Sequence, residues 1–306
     1  MRTERKIHWV NKHIVIIGNG ASTHIRLFDL PLELIPIKVW TFKEITSVAI
    51  YNYRDKKLLS KIEEFKRINS LAIRGNTLSE LKAFGNLKKI EALYVSEVSS
   101  NFILNGFDHL KSVSIHDSKI KTLPKVVLTS KNLEYLELKS LELERFTEDF
   151  LGLKSLKELI LDSLKNFKKI TPNFSNFSNL KSLKLDNLDI TEIHKSVFNL
   201  KNLETLSITN QKIKVPNEII NLKNLSTLIL TLNNTDIPEF IYNFTKLHTL
   251  ILYGNQFKNI KADIKNLKNL TWLEIFNEGN PEQDLIISAE LLKLPLEIID
   301  IIGFSL

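Results

Sequence analysis

Residues able to do chemistry are sparse in this sequence, and none stands in a pattern that supports catalysis. His116-Asp117-Ser118 contains the three residue types of a nucleophilic relay. Neighbours on a strand point to alternate faces, so this triplet by itself cannot form the hydrogen-bonded chain that a serine nucleophile needs. Gly18-Asn19-Gly20 lacks the length and the Gly-Lys-Ser/Thr ending of a phosphate-cradling loop, and reads as a turn. The seven histidines are scattered without helical or finger-like metal spacing. Cysteine is absent, which excludes disulfides, thiolate nucleophiles and cysteine metal sites. The expectation is a protein with no cofactor, no metal and no enzymatic activity.

The elements that position these residues follow from composition and repetition. Of 306 residues, 43% are hydrophobic and 25% charged, enough apolar material for a large core and no bias toward disorder. The formal charge of +7, from 42 basic and 35 acidic residues, favours solubility and weak attraction to anionic surfaces without identifying nucleic acid. The apolar run Ile14-Val15-Ile16-Ile17 is shorter than the roughly 7–15 residues of a secretory signal core and reads as a strand. The apolar stretch from Leu291 is interrupted by Lys293, Glu297 and Asp300 and falls short of the roughly 20 residues that span a bilayer. No membrane span is expected, and the location reads as cytoplasmic, or exported without a recognisable signal peptide. Abundant Lys, Ile and Asn are compatible with an AT-rich microbial genome.

Aliphatic residues at positions 1, 4 and 6 recur in frames that begin at Ile45, Ile68, Ile90, Leu110, Leu133, Leu156, Leu180, Leu203, Leu225, Leu247 and Leu270. All 33 of these positions comply, which independent placement at 43% hydrophobic content would achieve with probability on the order of 10⁻¹². Alternation at positions 4 and 6 is a short strand with one buried face, and parallel stacking of such strands buries a continuous core. The return path is patterned as well. An apolar residue stands ten places before position 1 at Leu123, Phe146, Ile170, Ile193, Val215, Ile237 and Ile260.

Val215-Pro216-x-x-Ile219-x-x-Leu222-x-x-Leu225 resembles the short bacterial or Ras-suppressor type of leucine-rich repeat, and Leu123-Pro124 and Ile237-Pro238 repeat its Pro device. The resemblance covers residues 45–275. It implies an α/β solenoid: a leucine-rich-repeat horseshoe with a concave parallel β-sheet and short helical or irregular convex segments, used for binding far more often than for chemistry. The family's position-9 asparagine is present as Asn76, Asn233 and Asn255, but Val98, Ser118, Leu141, Leu164, Leu188 and Gln211 replace it, so a regular asparagine ladder is not expected. Glu80 and Ser100 stand where the apolar return-path residue belongs, which predicts an irregular path from Glu80 to Leu110. Residues 1–44 read as an N-terminal cap with a degenerate frame on Ile14, Ile16 and Asn19, and 276–306 as a C-terminal cap. In that cap 281–294 is expected as a helix, followed by a last frame on Leu296, Ile299 and Ile301. The whole is expected to be a complete, single continuous domain.

Positions 3, 5 and 7 should line the concave face, and their chemistry changes along the array. Ser47, Ala49, Ser70, Ala72 and Ser96 are small or polar, whereas Tyr135, Glu137, Lys139, Glu158, Asp162, Lys184 and Asp186 are mostly charged. The last frames offer Thr227, Ile229 and Thr231, then Thr249, Ile251 and Tyr253, then Trp272, Glu274 and Phe276. Trp and Tyr are enriched at binding hot spots. Thr227, Ile229, Thr249, Ile251, Tyr253, Trp272 and Phe276 are therefore the candidate partner-binding residues, unless the C-terminal cap covers them. Lys88, Lys131, Lys154, Lys201, Lys223 and Lys268 stand two places before their frames as a row of like charge. Such a row reads first as a solvated edge that blocks aggregation.

The sequence thus reads as a monomeric scaffold that binds another protein. The alternatives are an anionic ligand or nucleic acid on the lysine row, for which aromatic interleaving is absent, and a recognition module within an enzyme complex.

Overall fold

A strand with one apolar face has to be covered, and a chain that repeats the pattern about every 23 residues covers it with its own next copy. The computed structural model describes residues 6–10, 14–18, 23–28, 32–52, 57–75, 79–168, 170, 173–209, 213–232, 236–255, 257–277 and 286–302. Asn19, Gly20, Asn76, Gln211, Asn233 and residues 281–285, all named above, lie outside them. The described chain forms two units, one of Met1–Leu143 with Thr147–Leu153, the other of Glu144–Phe146 with Lys154–Leu306.

In the first unit the strand order is Lys6–Val10, Ile14–Gly18, Thr23–Phe28, Ile45–Tyr51, Ser70–Arg74, Ala92–Ser96, Ser112–Ser118 and Tyr135–Leu141. From Thr23–Phe28 onward these strands are parallel and in repeat register, with Val48 beside Leu71, Leu71 beside Leu93 and Leu93 beside Val113. The N-terminal frame differs from the expectation. Ile14–Gly18 runs antiparallel to Thr23–Phe28, and it is Ile25 and Leu27 that align with Val48 and Ile50. Alternation marks a buried face but carries no direction. Four residues between Gly18 and Thr23 are too few for a parallel crossover, which needs a dozen or more.

The return path from Glu80 to Leu110 is also more ordered than its pattern implied. Glu80–Lys82 and Ile103–Asn105 form a two-stranded parallel ladder, with Leu81 beside Leu104 and both buried. The apolar residue has moved one place, from 80 to 81, and extended backbone turns it inward.

In the second unit Glu158–Asp162, Ser182–Asp186, Thr205–Thr209, Thr227–Thr231, Thr249–Asn255, Trp272–Asn277 and Ile298–Ile302 follow one another in parallel. Return segments carry single 3₁₀ turns at Lys195–Asn199, Asn217–Asn221, Glu239–Asn243 and Ala262–Asn266. Repeats this short leave no room for a longer helix. Each turn buries one or more apolar residues against the back of the sheet, among them Val197, Ile219, Ile241 and Ile264. Phenylalanines fill the wider spaces, with Phe146 edge-on to Phe167 and Phe174 edge-on to Phe177, each pair 5.0 Å between centroids.

The expected helix at 281–294 is absent from the described part of that segment. Ile286–Ile287 pairs in parallel with Asn259–Ile260, and Ala289–Lys293 is one more 3₁₀ turn, capped by the Ser288 hydroxyl on the Glu290 N–H. The segment extends the column of return turns rather than making a new kind of element. The last frame is in register: Ile299 lies beside Leu273 and Ile301 beside Ile275.

Two ladders hold the strand ends. At position 8 the backbone turns left-handed at Asn52, Glu97, Asp117, Ser140, Ser163, Asn187 and Gly254. A side chain with a Cβ is strained there by about 1–2 kcal/mol. Gly254, at φ +66°, is accordingly expected to tolerate alanine poorly: Gly254→Ala should lower stability by about 1–2 kcal/mol, read from urea unfolding. At the other end the carboxamides of Asn179, Asn202, Asn224 and Asn269 donate to the carbonyls of Lys154, Ser178, Lys201 and Thr245 in the preceding repeat, at 2.7–2.9 Å. This asparagine ladder stands one place before position 1, not at position 9.

The lysine row occupies the same turns with its side chains exposed. Replacing Lys201, Lys223 and Lys268 together with Gln is expected to leave the melting temperature unchanged, because solvent screens isolated surface charges. Asn202→Ala and Asn224→Ala should each cost about 1 kcal/mol in the same melts, since each leaves a carbonyl without its partner.

Candidate functional site

With positions 4 and 6 buried, positions 3, 5 and 7 form the open face of each unit's sheet, as the partly exposed alternation of Ser70–Arg74, Tyr135–Leu141, Glu158–Asp162 and Ser182–Asp186 shows, although Ser96, Ser207 and Thr231 on that face are buried. In the first unit the face is shallow over Ser47, Ala49, Ser70 and Ala72, which align as Ser47 beside Ser70 and Ala49 beside Ala72. It then rises at a polar cluster. Ser114 Oγ and Tyr135 Oη donate to Glu137 Oε2 at 3.1 and 3.0 Å. His116 Nε2 lies 3.2 Å from the same oxygen, off the line of a hydrogen bond, with its ring edge-on to Tyr94.

The serine in this cluster points at a carboxylate and not at the imidazole. Its proton is directed at Glu137 rather than at His116, so these side chains do not make the serine–imidazole–carboxylate relay. The triplet His116-Asp117-Ser118 itself diverges. His116 faces the open side, Asp117 is exposed in a left-handed turn, and Ser118 is buried, its Oγ accepting from the Val98 N–H and donating to the His116 carbonyl. The members of the Glu137 cluster share positions 3, 5 and 7 of adjacent frames, but the frame pattern alone does not show their contacts.

In the second unit the face begins with charge. Lys184 Nζ lies 3.4 Å from Glu158, and Asp186 accepts from Ser207 and Thr209 at 2.7 and 2.8 Å. Asp162 accepts from Ser163 and Asn187. The face ends in the candidate binding residues. Thr227, Thr249 and Trp272 are register partners at position 3, and Ile229 and Ile251 at position 5, followed by Glu274.

At position 7, Tyr253 stacks on Phe276 at 4.7 Å between centroids and 15° between planes. The ladder slips here between Leu252 and Asn255, a bulge formed where Gly254 turns left-handed, and the rings meet across it. Trp272 is 39% exposed and donates its indole N–H to Glu274 Oε1 at 2.6 Å, a contact the frame pattern did not reveal. Burial, then the nearby Glu274 and Asp186 carboxylates, raises the Tyr253 phenol above its ordinary range. The described part of the C-terminal segment lies along the return turns, with Ser288 N–H on the Ile260 carbonyl, and does not cover these side chains.

Tyr242, on the return side, is a separate case. Burial, with help from Asp263, Asp236 and Glu239, pushes its phenol up to about 12. Between pH 10 and 12 the unfolded chain gives up this proton while the folded chain keeps it, so stability is lost as pH rises through that window. Tyr242→Phe is expected to flatten the pH dependence of chemical unfolding between pH 10 and 12.

Residues 168–294 match the family described as a leucine-rich repeat region. The repeats within that region are leucine-rich repeats. Comparison with curated protein sequences finds no match. Among solved structures, a leucine-rich-repeat protein of Leptospira interrogans is similar at a TM-score of 0.68 and 23% identity, over 91% of this chain and 77% of that one. An internalin of Listeria monocytogenes is similar at 0.60 and 21%, over 92% of this chain and 87% of its own. The ectodomain of an Arabidopsis thaliana receptor kinase, solved in complex with CASPARIAN STRIP INTEGRITY FACTOR 2, is similar at 0.55 and 20%, over 80% of this chain and 34% of that one. These likenesses establish the leucine-rich-repeat fold. Among the described residues no helix is long and apolar enough to cross a membrane.

Proposed function

We propose that this leucine-rich-repeat chain is a non-enzymatic scaffold that holds another protein on the open face of its second unit, through Thr227, Ile229, Thr249, Ile251, Tyr253, Trp272 and Phe276. The leucine-rich-repeat fold is commonly a protein interaction module, and the plant ectodomain above was solved in complex with CASPARIAN STRIP INTEGRITY FACTOR 2. One observation carries the choice of face: the stacked Tyr253 and Phe276 rings and the exposed Trp272 stand on neighbouring strands with no described element over them. Rigid aromatic side chains present large contact areas at small entropic cost, which is why they dominate binding hot spots.

A photo-cross-linking amino acid placed at Thr249 tests the face directly when compared with one at Asp263 on the return turn. The Thr249 probe is expected to trap a partner protein from the native host, and the Asp263 probe none. Trapping from Asp263 alone would move the binding surface to the other side of the repeat.

A further inference from the structure

We infer that the partner segment recognised on this face is an extended, arginine-bearing one, with one guanidinium laid on the Tyr253, Trp272 and Phe276 rings against Glu274 and a second basic side chain reaching Asp186. The inference rests on the proposed binding face and adds the chemistry of its occupant.

The chain as a whole is basic, at +7, yet positions 3, 5 and 7 of the second unit are acidic. They hold Glu158, Asp162, Asp186, Glu274 and Asp300 against the single cation Lys184, five charges to one among the described residues. Lys184 is already beside Glu158, Glu274 and Asp300 are register partners on the strands at the aromatic end, and Asp186 stands farther along the same face. Aromatic faces are electron-rich and attract cations, more strongly where a carboxylate adjoins them. Glu274 stands at position 5 between Trp272 and Phe276 on one strand, so a group over the rings meets its carboxylate. The Tyr253 phenol is raised first by burial and, to a smaller extent, by the Glu274 and Asp186 carboxylates.

Guanidinium is planar, stacks on rings and forks onto a carboxylate, which an ammonium cannot do equally well. Spacing sets the second contact. Asp186 and Tyr253 are both at position 7, three strands apart, or about 14 Å at the usual strand separation. An extended peptide covers that distance in about four residues.

The test uses capped, fluorescein-labelled heptapeptides of sequence Ser-Arg-Ser-Gly-Ser-Arg-Ser and versions in which both Arg are Lys, Gln or Glu. Fluorescence anisotropy against the full chain reads the affinity. The Arg peptide is expected to bind about tenfold tighter than the Lys peptide, with the Gln and Glu peptides not binding. Its affinity should weaken about fivefold between 50 and 300 mM salt as screening grows. Glu274→Gln with Asp186→Asn, which retains side-chain acceptors for Trp272, Ser207 and Thr209, should weaken it at least tenfold at unchanged melting temperature.

Equal binding of the Arg and Gln peptides overturns the inference, as does binding of none. A natural partner trapped at Thr249 that depends on Tyr253 and Trp272 but tolerates the two acid variants would sink the cationic occupant and keep the binding face. Arg-peptide affinity that survives Tyr253→Ser and Trp272→Ser would sink both. Self-association of the chain that the acid variants abolish, without peptide binding, would assign the face to a second copy instead.

Discussion

Leu183→Ala is expected to lower the stability of the chain by about 2–5 kcal/mol. Leu183 is position 4 of its frame, fully buried, with Leu159 beside it on one strand and Leu206 beside it on the other. Removing the isobutyl group forfeits its transfer free energy and leaves a cavity that relaxes only in part. The backbone on both sides is pinned by ladder hydrogen bonds, and the neighbouring leucines cannot slide along the stack without breaking their own register. Each repeat draws stability from contact with its neighbours, so the loss also weakens both adjoining interfaces. Urea unfolding followed by circular dichroism measures it. A change below about half a kcal/mol would show that Leu183 does not sit in the core.

Tyr253→Ala and Trp272→Ala are each expected to cost about 2 kcal/mol of affinity for the partner trapped on the open face, roughly thirtyfold per residue. Tyr253 loses its stack on Phe276 as well as its own contact area, and leaves Phe276 facing water. Trp272 loses an exposed ring that its hydrogen bond to Glu274 holds in place, so the contact surface and the orientation of the carboxylate disappear together. Ser70→Ala, on the shallow face of the first unit, should leave affinity unchanged. The comparison is made by titration calorimetry after thermal melts show equal stability of all three variants. Unchanged affinity in both aromatic variants would remove this patch as the hot spot.

The repeat frame was fully legible because every frame repeats the same demand for aliphatic residues at positions 1, 4 and 6, and burial at those places has one geometric solution, the parallel stack. The rows of the open face were legible for the same reason: strand alternation sends 3, 5 and 7 to the side opposite 4 and 6. That is why Ile229 lies beside Ile251 and Thr249 beside Trp272 as the spacing requires. Asn179, Asn202, Asn224 and Asn269 recur at one place in the sequence, but that they form a ladder depends on carbonyls one repeat earlier, which the stack brings within reach.

The sequence by itself determined that the aliphatic positions 1, 4 and 6 of the repeats are buried, how the repeats register and which positions share the open face, because periodicity along the chain is a direct record of which side must leave water. The tertiary structure alone decided several other matters: the antiparallel direction of Ile14–Gly18, the small ladder at Glu80–Lys82, the 3₁₀ turn in place of a helix at Ala289–Lys293, and the contact of Trp272 with Glu274. The path of that C-terminal segment along the return turns, leaving Tyr253 and Phe276 uncovered by described residues, belongs with them. Alternation has no direction, and a hydrogen bond or a ring stack depends on where a side chain about one repeat away in the sequence comes to rest, which only the packed stack specifies.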